Sequence, residues 1–110
     1  MITAAERRAT DALFKALADP TRREILALLR TQQRSVGELA GNFHISRPAI
    51  SKHLRLLRDA GLVSDTPLGT MRMCELNPEP LRKLDTWLGD YKRFWRSSLA
   101  RLKAHVEKKK

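Results

Sequence analysis

Residues 35–63 read SVGELAGNFHISRPAISKHLRLLRDAGLV, and this stretch decides the fold. Ser35 and Glu38 stand in capping-box spacing, followed by Val36, Leu39, Ala40 and Phe43 at helical intervals. This predicts a short helix. Asn42 to Ile45 form a tight connection, and Ser46 then caps a second helix, with Pro48 tolerated in the first turn because the N–H it lacks has no intrahelical partner there. Ile50, Leu54 and Leu57 define the buried side of that helix, and Gly61 ends it. Arg47, Ser51, Lys52 and Arg55 then fall on the opposite side or its flanks. Two short helices with a tight turn, the second carrying cations and small polar groups on its free face, are the parts of a helix-turn-helix. The major groove of B-DNA admits one such helix, and its base edges offer acceptors that arginine and serine reach. The helix N-terminus near Ser46 also offers free N–H groups to a phosphate. His53 carries two readings, a boundary histidine packed beside Leu54 and Leu57 or a donor to phosphate or base.

Upstream, Thr3 to about Ala18 reads as a helix opened by Thr3 and Glu6, with Ala9, Ala12, Leu13, Ala16 and Leu17 repeating along it. Asp19-Pro20 caps a second helix running to about Leu29 or Arg30. Downstream, Leu62–Thr66 and Met71–Leu76 read as two strands joined by Pro67-Leu68-Gly69-Thr70. A hairpin directly after a recognition helix is a wing. Its tip, Gly69 and Thr70 with Arg72 behind it, suits the DNA backbone or minor groove. A last helix starts near Asn77-Pro78. Leu81, Leu84, Leu88, Tyr91, Trp95, Leu99, Leu102 and Val106 form a nearly heptad stripe along it, with Gly89 a candidate kink.

The 110 residues suit one domain, expected to span 1–110. There are 22 Lys and Arg against 12 Asp and Glu, a formal charge of +10, which favours polyanionic partners: nucleic acid first, an anionic membrane second. Residues 92–110 hold eight basic residues against Glu107 alone, leaving +3 for residues 1–91. A solvated helix face with a basic tail at 108–110 is the favoured reading of that run, ahead of a specific contact surface. Cys74 is the only cysteine, which excludes an internal disulfide. The longest aliphatic run, Ile25–Leu29, is far short of a membrane span, and Glu6, Arg7 and Arg8 precede any apolar stretch, so a cytoplasmic protein without a secretory signal is expected. The catalytic patterns G-x-S-x-G and the glycine-rich phosphate loop do not occur, so no enzyme is expected.

LFKALADPTRREILALL (13–29), the 35–63 stretch and GTMRMCEL (69–76) together resemble the ArsR/SmtB family of bacterial winged-helix repressors. Ser46, Ala49, Ser51, His53, Leu54, Leu57, Ala60 and Gly61 carry the most specific part of the likeness. The resemblance implies a mainly α fold with a small hairpin, in the order α-α-α-α-β-β-α. It also implies a homodimeric repressor bound to a double-stranded operator through Ser46, Arg47, Ser51, Lys52 and His53. With these go Pro48 and Arg55 from the same helix and Gly69, Thr70 and Arg72 from the wing. The segments 1–18 and 78–107 are the expected dimerisation helices, through Leu13, Leu81, Leu84, Leu88, Tyr91, Phe94, Trp95, Leu99 and Leu102. The helix-turn-helix spans 35–60 and the wing 62–76. A core of four short helices and a hairpin has little surface to cover the last helix, which favours burial against a second subunit over packing on the first helix.

Many members of that family sense metals. The positions that align with their Cys-x-Cys hold Ser35 and Gly37, and those that align with the Asp/His site of the last helix hold Pro78, Pro80, Tyr91 and Phe94. His44, His53 and His105 lack ligand spacing. No metal and no cofactor are therefore expected, and Cys74 reads as a buried small hydrophobe. The alternatives are a metal- or thiol-responsive sensor with a non-standard site and a general basic nucleic-acid-binding protein. Operator and effector stay open.

Overall fold

The computed structural model describes residues 3–108, which divide into two compact units, one ending at Pro80 and the other beginning at Leu81. Eight elements follow one another: α1 (Ala4–Leu17), α2 (Pro20–Thr31), β1 (Arg34–Ser35), α3 (Val36–Ala40), α4 (Arg47–Asp59), β2 (Val63–Leu68), β3 (Met71–Leu76) and α5 (Glu79–Lys108).

Each of the first four helices starts where a side chain can satisfy an orphan amide. Thr3 accepts from Glu6 N at 3.1 Å, Asp19 from Arg22 N at 3.1 Å and Ser46 from Ala49 N at 3.2 Å. Ser35 and Glu38 close the full reciprocal box, both bonds 3.1 Å long. The carbonyl end of α1 is capped from the next helix. Arg22 Nη2 and Nε donate to Lys15 O and Ala16 O, and Arg23 Nη1 to Leu17 O, each at 2.8 Å. Helix α4 ends in a Schellman motif: Gly61 N donates to Arg58 O and Leu62 N to Leu57 O, both at 2.9 Å, with Gly61 at φ +75°.

The core of the first unit draws on every layer: Leu13 and Ala16 from α1, Ile25, Leu26 and Leu29 from α2, Leu39 from α3, Ile50, Leu54 and Leu57 from α4, and Leu62, Val63, Met73 and Cys74 from the wing and its approach. The three α4 residues are fully buried. Burying each contributes about 1.5–3 kcal/mol before entropy is counted, so the apolar face of α4 fixes which side remains outward.

The wing differs from its sequence reading in two ways. Strand β2 continues through Pro67 to Leu68, and the register Leu68↔Met71 leaves a two-residue turn, Gly69-Thr70, in place of the four-residue connection expected. Gly69 lies at φ +63° and Thr70 does not have positive φ, the pattern of a type II′ turn that matches strand twist. Pro67 is tolerated because β2 is an edge strand. A third strand, unforeseen, pairs with the other side of β3 through Arg34↔Cys74 and Ser35↔Met73, giving the order β1-β3-β2. At two residues it is too short to leave a periodic signature.

In the second unit α5 continues unbroken through Gly89, whose missing side chain faces open space. Its 30 residues extend over about 45 Å. The helix starts at Glu79, one residue later than expected, where Asn77 Oδ1 accepts from Glu79 N at 3.3 Å. Lys108 belongs to the helix, and the rest of the expected tail, Lys109 and Lys110, lies outside the described residues, as do Met1 and Ile2.

Candidate nucleic-acid interface

The second helix of the pair, α4, positions most of the candidate residues. Ser46 is the N-cap, its hydroxyl oxygen accepting from Ala49 N, while Arg47 and Pro48 form the first turn. Ser46, Arg47, Pro48, Ser51, Lys52 and Arg55 are all exposed, opposite or flanking the face that buries Ile50, Leu54 and Leu57. Among the described residues no carboxylate pairs with Arg47, Lys52 or Arg55, so the first three turns present uncompensated positive charge. Arg58, one turn further on, is different. Its Nε lies 3.1 Å from Asp65 Oδ2, and the pair is half-buried, joining the end of α4 to β2. The four cations of α4, Arg47, Lys52, Arg55 and Arg58, thus divide into three open ones and one internal tie.

His53 is half-buried on a flank of α4. Its Nδ1 lies 3.2 Å from Arg22 Nη1 and 3.8 Å from Asp19 Oδ2, so it meets α2 and its cap. Sequence reasoning missed Arg22, because nothing local relates a residue of α2 to one 31 positions later. Desolvation is the largest single influence on Asp19 and works against its charge, but the surrounding contacts, led by the Arg22 amide and guanidinium, together outweigh it and hold the carboxyl below its ordinary value of 3.8.

Gly69 and Thr70 form the exposed tip of the wing and Arg72 is exposed two residues on, opposite Pro67 across the strands. Leu68 and Met71 flank the turn and are exposed as well. The wing and α4 therefore offer one cationic face and one slender projection, dimensions that suit the grooves of a duplex.

The residues expected at a subunit interface fall in different settings. Leu13 is 6% exposed in the core of the first unit, which leaves it almost no surface for a second chain. Leu81, Leu84 and Leu88 are half-buried. Tyr91, Phe94, Trp95, Leu99 and Leu102 are exposed, Trp95 to 62%, and the Trp87 and Tyr91 rings meet at 5.2 Å. No residue of α5 is buried. Ion pairs Asp85–Lys92 and Asp90–Arg93 lie along the helix, and Arg96, Arg101, Lys103 and Lys108 add to its charge.

Cys74 is fully buried in β3, with Arg58 Nη2 3.9 Å from its sulfur. Burial first, then the Asp65 carboxylate, pushes the thiol up, which opposes formation of the reactive thiolate. Among the described residues no group of three or more His, Cys, Asp or Glu side chains is placed to hold a metal ion.

A helix-turn-helix with an exposed cationic second helix, followed by a hairpin wing, defines a winged helix-turn-helix regulator of transcription. Residues 19–65 match the profile described as "Bacterial regulatory protein, arsR family". The HTH-type transcriptional regulator Rv2034 of Mycobacterium tuberculosis is 46% identical over 92 residues, covering 84% of this chain and 83% of that protein. The chain belongs to the arsR family of bacterial regulatory proteins. The transcriptional repressor SdpR of Bacillus subtilis is 41% identical over 76 residues, 69% of this chain and 84% of its own length. Among solved structures, the homodimeric winged helix-turn-helix DNA-binding domain (fragment 1–100) of Mb0332 from Mycobacterium bovis has a TM-score of 0.66 at 27% identity, covering 82% of this chain and 83% of that one.

Proposed function

We propose that the protein is a repressor that binds an inverted-repeat operator as a homodimer. The observation that carries this reading is the division of α4 into a fully buried face of Ile50, Leu54 and Leu57 and an outward face of Arg47, Ser51, Lys52 and Arg55. In this reading Ser46, Arg47, Pro48, Ser51, Lys52, His53 and Arg55 meet the major groove, with base edges read by Arg47 and Ser51 and phosphates held by Lys52 and Arg55. Gly69, Thr70 and Arg72 meet the backbone or minor groove. The apolar stripe of α5 supplies the dimer contact from Leu81, Leu84, Leu88, Tyr91, Phe94, Trp95, Leu99 and Leu102, without Leu13. The names of SdpR as a repressor and of the Mb0332 fragment as a homodimer support both halves. The chain acts through binding, with no chemical step of its own. Its place is the cytoplasm, on the nucleoid; no helix among the described residues is long and apolar enough to cross a membrane.

Selection of bound duplexes from a random-sequence pool tests this. The expected product is an inverted repeat with half-site centres about one helical turn apart (~34 Å). Recovery of no common sequence, or of a lone half-site, refutes the reading.

A further inference from the structure

Arg22 points its guanidinium into the protein. Two of its nitrogens are spent on the carbonyl end of α1, at Lys15 O and Ala16 O, and the third, Nη1, stands 3.2 Å from His53 Nδ1. A guanidinium has only donors, so this bond exists only when Nδ1 presents its lone pair and the ring proton resides on Nε2. Asp19 Oδ2, the group that would favour a proton on Nδ1, is 3.8 Å away and beyond hydrogen-bond reach. Nε2 has no partner among the described residues, and no side-chain nitrogen or oxygen there is both buried and unpartnered. Nε2 is therefore open to water. His53 lies on the flank of α4 next to the buried stripe, at the edge of the outward face and not at its centre.

We propose that Arg22 is a positioning residue of the DNA site: it holds His53 in the Nε2–H form, so that His53 donates a hydrogen bond to a phosphate oxygen at the rim of the groove. This rests on α4 being the recognition helix. Two carbonyls of α1 fix the guanidinium, the guanidinium fixes the ring, and the ring offers the duplex a donor with its hydrogen already in place. Lysine at position 22 keeps the charge but cannot span three acceptors in one plane.

The full-length chain tests this with the duplex it selects and with an unrelated duplex, by fluorescence anisotropy. His53→Ala is expected to weaken binding about tenfold on both, because a phosphate contact carries no sequence information. Arg22→Lys is expected to weaken both about fivefold. His53→Gln, whose amide keeps a donor near Nε2, should hold affinity within about twofold, and Arg22→Lys made in that background should cost little more. An equal cost of Arg22→Lys in both backgrounds makes Arg22 merely structural and overturns the proposal. A loss confined to the selected duplex overturns the phosphate assignment. Long-range ¹H–¹⁵N imidazole spectra of the unmodified chain decide independently of any variant: a bare Nδ1 at His53 supports the proposal and a protonated Nδ1 refutes it. A wild-type chain that selects no sequence defeats the recognition-helix reading, whereas an uncoupled Arg22–His53 pair defeats only this inference.

Discussion

Lys52 and Arg58 sit on the same helix six residues apart, yet the structure gives them opposite expectations in a salt titration. Lys52 is exposed and among the described residues meets no carboxylate; Arg58 is tied to Asp65 at 3.1 Å. If each Lys52 neutralises one phosphate, a dimer loses two phosphate contacts in Lys52→Ala. At a slope of about −0.9 in log K against log salt per phosphate, the slope becomes shallower by about 1.8. Raising salt from about 50 to about 200 mM is a fourfold change, so the affinity deficit of the variant should shrink by about twelvefold across that range. Arg58→Ala should leave the slope of the wild type. Its cost belongs to stability and is small, about 0–1 kcal/mol for a half-exposed pair. Anisotropy titrations of one duplex at four salt concentrations read both slopes. Equal flattening by the two variants, or no flattening by Lys52→Ala, refutes the division of α4 into open and internally tied cations.

Gly61→Ala should destabilise the fold by about 1 kcal/mol in urea unfolding. The cost comes from φ +75° and not from crowding, since the added carbon would stand 3.5 Å from Pro80 Cγ. Gly61→Asn should cost less, and equal losses would refute the left-handed strain. At Asp19 the lowered pKa means that the charged cap stabilises the fold above the ordinary carboxylate value of 3.8, and that this is lost as pH falls through the lower folded-state value. Asp19→Asn keeps a capping oxygen but should flatten the acid limb of a Tm-against-pH profile; an unchanged limb contradicts the assignment. Trp95→Ala with Leu99→Ala should give monomer by sedimentation and weaken operator binding, and an intact dimer refutes the α5 interface.

The sequence disclosed what local chemistry governs. Ser35 with Glu38 announced the start of α3, and Gly61 the end of α4, because caps and left-handed glycines act within four residues. Ile50, Leu54 and Leu57 marked the buried side of α4 by spacing alone, and all three are fully buried. Features made by distant partners stayed hidden. Strand β1 exists because β3 offers it an edge, and Arg34-Ser35 have no strand character of their own. The tie between Arg58 and Asp65 and the contact between Arg22 and His53 are likewise tertiary. Gly89 misled in the other direction: a glycine costs a helix about 1 kcal/mol relative to alanine, too little to break one of 30 residues.

Ser35 serves two structures at once, as the partner of Met73 in the sheet and as the cap of α3. The inner strand of the wing is thereby stitched to the start of the helix-turn-helix, while Arg58 and Asp65 stitch its outer strand to the end. Wing and reading head are thus joined by two seams, one at each end of the helix-turn-helix. A signal that moves the hairpin away from a duplex on its own has first to unpick one of them.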